Sequence, residues 1–175
     1  MSHHHSTSNH NSTTWIIVGL VTFMVLVVGI LIALSPPSAQ SQNSKVSNSA
    51  LTAPEMVYNF GTVSMAQGQV TKIFKTNNST SSAITISKLY TSCMCTVATL
   101  VNKGRRVGPF GMEGHGGPIP TINEELLAGE TAEIEVMFDP TAHGPAGVGS
   151  ITRNILIETT DGKKLVFEIK AQVTP

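Results

Sequence analysis

Apolar and polar side chains alternate along the last third of the chain. Ala132, Ile134, Val136 and Phe138 fall on one face, and Glu133, Glu135 and Met137 on the other. Leu165, Phe167, Ile169, Ala171 and Val173 repeat the pattern against Glu168, Lys170 and Gln172. Successive side chains of a strand point to opposite faces, so each run predicts a strand with one buried face. Ile151 to Thr160 is strand-like, and Asp161-Gly162 is a hairpin signal before the last run. Shorter runs precede these. Met56 to Phe60 stops at Gly61, Val70, Ile73 and Phe74 lead into the turn-forming Asn77-Asn78, Ile84 and Ile86 alternate with Thr85 and Ser87, and Val97 to Val101 follows. Such spacing predicts an all-β domain, an immunoglobulin-like β-sandwich of about seven strands.

The pattern is different near the N-terminus. From Trp15 to Leu34 there is no charge and no proline, and only Thr22, Gly19 and Gly29 interrupt the apolar side chains. At about 1.5 Å per residue a helix of this length crosses a hydrocarbon core of roughly 30 Å. One segment cannot close a barrel, so a helix is the form in which it satisfies its own backbone in lipid. A cleaved signal peptide has a shorter apolar stretch, about 7–15 residues, and a basic start; this segment has neither. The expectation is one uncleaved transmembrane helix at 15–34. Residues 1–14 are a disordered tail whose His3, His4 and His5 read as solvated polar residues. Residues 35–53 form a Ser-, Asn- and Pro-rich flexible linker, and the folded domain runs over 54–175. No Asp, Glu, Lys or Arg precedes Lys45, so the charge rule for orientation has little to act on. The short tail is the easier end to leave inside, which places the β domain on the extracytoplasmic side.

One stretch does not fit a minimal sandwich. Lys103 to Leu127 holds six glycines and three prolines and reads as a Gly/Pro-rich loop at 103–127. Loops of this length in compact domains are usually functional or mobile. Glu124 and Glu125 within it are adjacent, point apart in an extended chain, and read as solvated charges.

Charge and composition then narrow the function. Eleven basic and eleven acidic residues give a formal net charge of zero with no basic stripe, so nucleic acid is not an expected partner. No nucleophile elbow, zinc-protease helix, phosphate loop or dinucleotide fingerprint is present, and no enzyme activity is expected. The two cysteines stand as Cys93-Met94-Cys95. In a regular strand, residues i and i+2 lie about 6.6–6.8 Å apart, at the far edge of disulfide reach. A bulge or turn would permit the bond. Metal binding is geometrically easier, and Cu(I) selects soft thiolate and thioether ligands. Cys93, Cys95, Met112 and His115 are therefore the candidate ligands, with the Gly/Pro loop as their lid. His143 reads as an ordinary loop histidine.

Several of these segments together carry a family resemblance. Tyr58-Asn59-Phe60-Gly61-Thr62-Val63, Phe74-Lys75-Thr76-Asn77-Asn78, Ile84-Thr85-Ile86, Thr91-Ser92-Cys93-Met94-Cys95-Thr96, Leu127-Ala128-Gly129-Glu130, Val136-Met137-Phe138-Asp139 and the closing Phe167 to Val173 occur in order. Residues 55–175 so resemble the bacterial exported family filed as domain of unknown function 1573. The resemblance implies an immunoglobulin-like sandwich of the PapD and ASH type in an exported or lipid-anchored protein. Met94 stands where the family usually has glycine, and the Gly/Pro loop is not a family feature. The leading expectation is a membrane-anchored interaction module that binds a partner protein or serves as accessory subunit of a membrane complex. The alternative is a copper-binding or thiol-redox domain using Cys93 and Cys95.

Overall fold

The computed structural model describes residues 16–24, 50–114 and 117–175. Residues 16–24 are helical. At about 1.5 Å per residue they span roughly 14 Å, less than half a bilayer core. No helix among the described residues is long and apolar enough to cross a membrane. Residues 15 and 25–34 of the expected span lie outside the described residues, as do the tail at 1–14 and most of the linker.

Among the described residues, 50–114 and 117–175 form a β-sandwich. Its strands are β1 (Leu51–Thr52), β2 (Val57–Ser64), β3 (Val70–Asn78), β4 (Ile84–Thr91), β5 (Thr96–Asn102), β6 (Arg105–Phe110), β7 (Glu124–Leu126), β8 (Thr131–Phe138), β9 (Gly149–Thr159) and β10 (Lys164–Thr174). They form two five-stranded sheets, ordered β1-β3-β8-β5-β6 and β2-β10-β9-β4-β7. Every pairing is antiparallel except that of β2 with β10. The alternation in β8 and β10 lands as expected. Ala132, Ile134, Val136 and Phe138 face inward from one sheet, and Leu165, Phe167, Ile169, Ala171 and Val173 from the other. Phe74 of β3 stacks on Phe167 of β10 at 4.7 Å between ring centroids, which locks the two sheets together. Burying each such ring contributes about 2–3 kcal/mol.

Ten strands replace the seven expected, and the additions are short edge pieces. Leu51–Thr52, expected in the linker, pairs with Asn78 and Asn77, and the Leu51 side chain is 1% exposed. The stretch 103–127 is not a single loop. Lys103 (φ 49°) and Gly104 (φ 81°) make a two-residue hairpin turn with both central residues left-handed, so β6 folds straight back on β5. β7 then pairs with β4 through Ile84↔Leu126. Glu124, expected in solvent, is 7% exposed; it accepts a hydrogen bond from Asn102 Nδ2 at 3.2 Å and an ion pair from Arg105. A two-residue strand or a three-residue edge has too little sequence to show a period, which is why none of these was visible beforehand.

Candidate functional site

The Cys-Met-Cys element sits at the turn between β4 and β5, which crosses from one sheet to the other. Thr96 N–H donates to the Cys93 carbonyl at 3.1 Å, closing a four-residue turn. The buried Thr91 hydroxyl lies 3.0 Å from the Cys93 carbonyl and 2.8 Å from the Thr96 carbonyl and shares its one proton between them. Two strands pin the turn from outside. Ser92 N–H donates to the Asn154 carbonyl and Asn154 N–H to Ser92 Oγ, both at 2.9 Å, while Asp139 N–H donates to the Cys95 carbonyl at 2.8 Å.

This turn corrects the strand geometry assumed for the cysteines. It brings their Cα atoms to 5.3 Å, inside disulfide range, and Cys93 and Cys95 are bonded to each other. Cys93 is 8% exposed and Cys95 2%. Each sulfur has its own polar neighbour. His143 Nε2 is 3.1 Å from Cys93 Sγ. Arg153 of β9 donates from Nε to Cys95 Sγ at 3.2 Å, and its Nη1 donates to the Thr152 carbonyl at 2.9 Å. Thr96 Oγ1 lies 3.7 Å from Cys95 Sγ.

His143 is held there by the loop that leaves β8. Asp139 Oδ1 accepts from Thr141 N–H at 2.8 Å and from its hydroxyl at 2.6 Å, and Oδ2 accepts from Gln69 Nε2 at 3.2 Å. These hydrogen bonds, that of the Thr141 hydroxyl first, hold the Asp139 carboxyl below its ordinary value. The loop closes with Gly144 N–H on the Thr141 carbonyl at 2.8 Å and continues into a single 3-10 turn, Gly144–Gly147. Gly147 faces the base of the histidine: a Cβ there would come within 3.2 Å of His143 Cβ.

The structure brings His143 to the cysteines. Cys93, Cys95 and His143 offer three donor atoms that all lie within 4.8 Å of one another. Met112 is half-buried beside this corner, its backbone bridging Thr91. Gly111 adds a carbonyl that accepts from Thr91 N–H at 3.0 Å. His115 lies outside the described residues. His143 and Arg153 were missed because they stand 50 and 58 residues from their sulfur partners, and no local pattern announces such pairings.

Comparison with curated proteins finds no match. Among solved structures, a protein of unknown function from Porphyromonas gingivalis W83 is similar at 14% identity and a TM-score of 0.49, over 70% of this chain and 46% of that one. The VesB protease of Vibrio cholerae is similar at 16% identity and a TM-score of 0.44, over 70% of this chain and 32% of that one. The ASH / PapD-like domain 7 of human CEP192 is similar at 12% identity and a TM-score of 0.43, over 79% of this chain and 98% of that domain. This chain thus spans less than half the length of the first two. A sequence profile matches residues 51–109, which take in β1 to most of β6 and both cysteines. That profile describes the family "Protein of unknown function (DUF1573)", to which this stretch of the chain is similar.

Proposed function

We propose that the domain is a membrane-tethered, extracytoplasmic interaction module that meets its partner at the Cys93–Cys95 corner and exchanges thiol and disulfide with it. One observation carries this reading: four side chains from three separate parts of the sequence converge there, with a polar group on each sulfur. Paired cysteines persist as disulfides outside the reducing cytoplasm, which agrees with the apolar run at 15–34 serving as anchor.

The chemistry follows from the neighbours. An incoming partner thiolate attacks Cys93 Sγ, the sulfur of the more exposed cysteine. A partner–Cys93 disulfide forms, the Cys93–Cys95 bond breaks, and the electron pair passes to Cys95 Sγ. The Arg153 guanidinium donates to that sulfur and stabilises the thiolate. A second partner thiolate then releases Cys93, which His143 Nε2 is placed to protonate. The partner dithiol becomes a disulfide, and the corner gains two electrons and two protons, one through His143 and one taken up from solvent by Cys95.

The test uses the full chain in detergent, equilibrated with glutathione at graded ratios and quenched by alkylation. The expected result is a reversible shift between no alkylated thiol and two per chain. Arg153→Met should slow the exchange about tenfold, the effect of losing one charge-assisted hydrogen bond of roughly 1.5 kcal/mol. A pair that stays oxidised, or stays reduced, at every ratio would defeat the proposal.

A second reading places partner recognition on β2. Its support is position: β2 is an eight-residue outer strand of its sheet, the kind of edge to which another chain adds a strand. Crosslinking at Val57, which is exposed on that strand, distinguishes this from docking at the cysteine corner.

A further inference from the structure

We infer that the reduced corner holds one Cu(I) ion, bound by Cys93 Sγ, Cys95 Sγ and His143 Nε2. The inference rests on the reading that the disulfide is reducible, and it assigns the reduced state a ligand. Three observations lead to it.

The first is the reach of the donors. All three atoms lie within 4.8 Å of one another, and the two cysteine Cα atoms are 5.3 Å apart. Metal–sulfur bonds of about 2.3 Å place two thiolates of a trigonal site roughly 4 Å apart. Cα atoms at this spacing serve a bonded pair and, after side-chain rotation alone, a chelating pair.

The second is how the donors are held. The backbone of the cysteine turn is fixed by Asn154 and Asp139, and the histidine loop is fixed by Asp139 through Thr141. Asp139 thus ties both halves of the ligand set together, with its N–H on the Cys95 carbonyl and its carboxylate on Thr141. Such outer support is what orients metal ligands.

The third is charge. Two thiolates and the Arg153 guanidinium that touches Cys95 sum to one negative charge. A monovalent cation brings this partly buried cluster to neutrality, whereas a divalent one leaves it positive. Soft thiolates in a three-donor set also favour Cu(I) over a metal that needs four ligands. The steps balance. A dithiol reductant gives two electrons and two protons to the disulfide and becomes a disulfide itself. Cu(I), delivered from a weaker chelate, then displaces two thiol protons to solvent with no change of oxidation state.

The experiment is an anaerobic competition between the full chain in detergent and a coloured bidentate Cu(I) chelator, run with oxidised and with reduced protein. The double variant Cys93→Ser, Cys95→Ser subtracts any copper held by the N-terminal histidines. One Cu(I) per reduced chain is expected, with none on the oxidised chain beyond that background. His143→Ala should weaken binding at least tenfold, and X-ray absorption should read two sulfurs and one nitrogen. Circular dichroism of each variant keeps a folding failure from counting as a binding failure. Two alkylatable thiols with no copper retained would overturn this inference while leaving the redox reading intact. A disulfide that never opens would remove both. Binding of Zn(II) in preference to Cu(I), or unchanged affinity in folded His143→Ala, would overturn the assignment of ion or ligand.

Discussion

The two ends of the sandwich use polar side chains in opposite ways. At one end Asn78, fully buried at the end of β3, donates through Nδ2 to the carbonyls of Ser82, Leu126 and Leu127 at 2.8, 3.0 and 3.1 Å. Its Oδ1 accepts from Thr80 N–H at 3.0 Å and from the Thr80 hydroxyl at 2.7 Å. Its backbone joins the turn as well, accepting from Gly129 N–H and donating to the Glu130 carbonyl, both at 2.9 Å. That residue closes the connection between two strand pairs and has no bonding capacity left for a ligand. At the other end the backbone closes the cysteine turn with the Thr91 hydroxyl and with Cys93 Sγ, which accepts from Cys95 N–H at 3.4 Å. The side chains of His143 and Arg153 face the two sulfurs instead. Polar groups that a fold needs are used up by the fold; groups it does not need are free to do chemistry.

Substitutions can separate the two ends. Asn78→Ala leaves several buried carbonyls and a turn without partners and should cost about 3 kcal/mol, read from urea denaturation, with the rate of thiol exchange unchanged in the folded fraction. An equal loss of exchange would mean the two ends are coupled. The double variant Cys93→Ser, Cys95→Ser should cost only about 1–2 kcal/mol, because so short a disulfide loop removes little entropy from the unfolded chain. A loss as large as that of Asn78→Ala would make the cysteine corner a structural one.

Gly147→Ala is a finer probe. The added methyl group meets His143 Cβ at 3.2 Å, and a shift of the imidazole is expected at a stability cost below about 1 kcal/mol. The chemical shifts of the His143 ring should move while those of the Asn78 end stay in place.

The smallest effect is shared by both ends. Hydrogen bonds hold the Glu130 carboxyl down at the Asn78 end, that of Leu127 N–H first, and the Thr141 hydroxyl does so for Asp139 at the cysteine end. Glu135 is lowered by Arg106, Glu158 by Lys164, and Asp161 to about 2 by the Thr159 hydroxyl in the β9–β10 turn. A carboxyl depressed in the folded state stabilises above its unfolded value, and that contribution is lost as pH falls through the folded value. The urea midpoint should therefore be flat above about pH 5 and decline between about pH 4.5 and 2, with Asp161 titrating last. A decline that began near neutrality would mean that these carboxyls do not set the acid limb.

Much of this fold is written in short-range pattern. The inward faces of β8 and β10 follow from alternation alone, and Asp161-Gly162 marks their neighbouring hairpin, where Gly162 has a φ of 78°. The β5–β6 hairpin was less legible, since Lys103-Gly104 lacks the asparagine or aspartate that usually signals a left-handed pair. Of the candidate site, Cys93 and Cys95 were visible as residue types. Their bond was not, because it depends on whether Thr91 to Thr96 continues as a strand or turns. Glu124 was misjudged for a related reason: its burial comes from Arg105 and Asn102 across β5 and β6, outside its own neighbourhood.

The sequence by itself determined the β character of the domain, the inward faces of the long strands, the family resemblance and the two cysteines. These depend on the period of neighbouring side chains and on residue identity. The tertiary structure alone decided that the cysteines turn toward each other, and that His143 and Arg153 are their companions. Such contacts depend on how β4, β8 and β9 converge at one end of the sandwich, and convergence over fifty residues leaves no mark on local sequence.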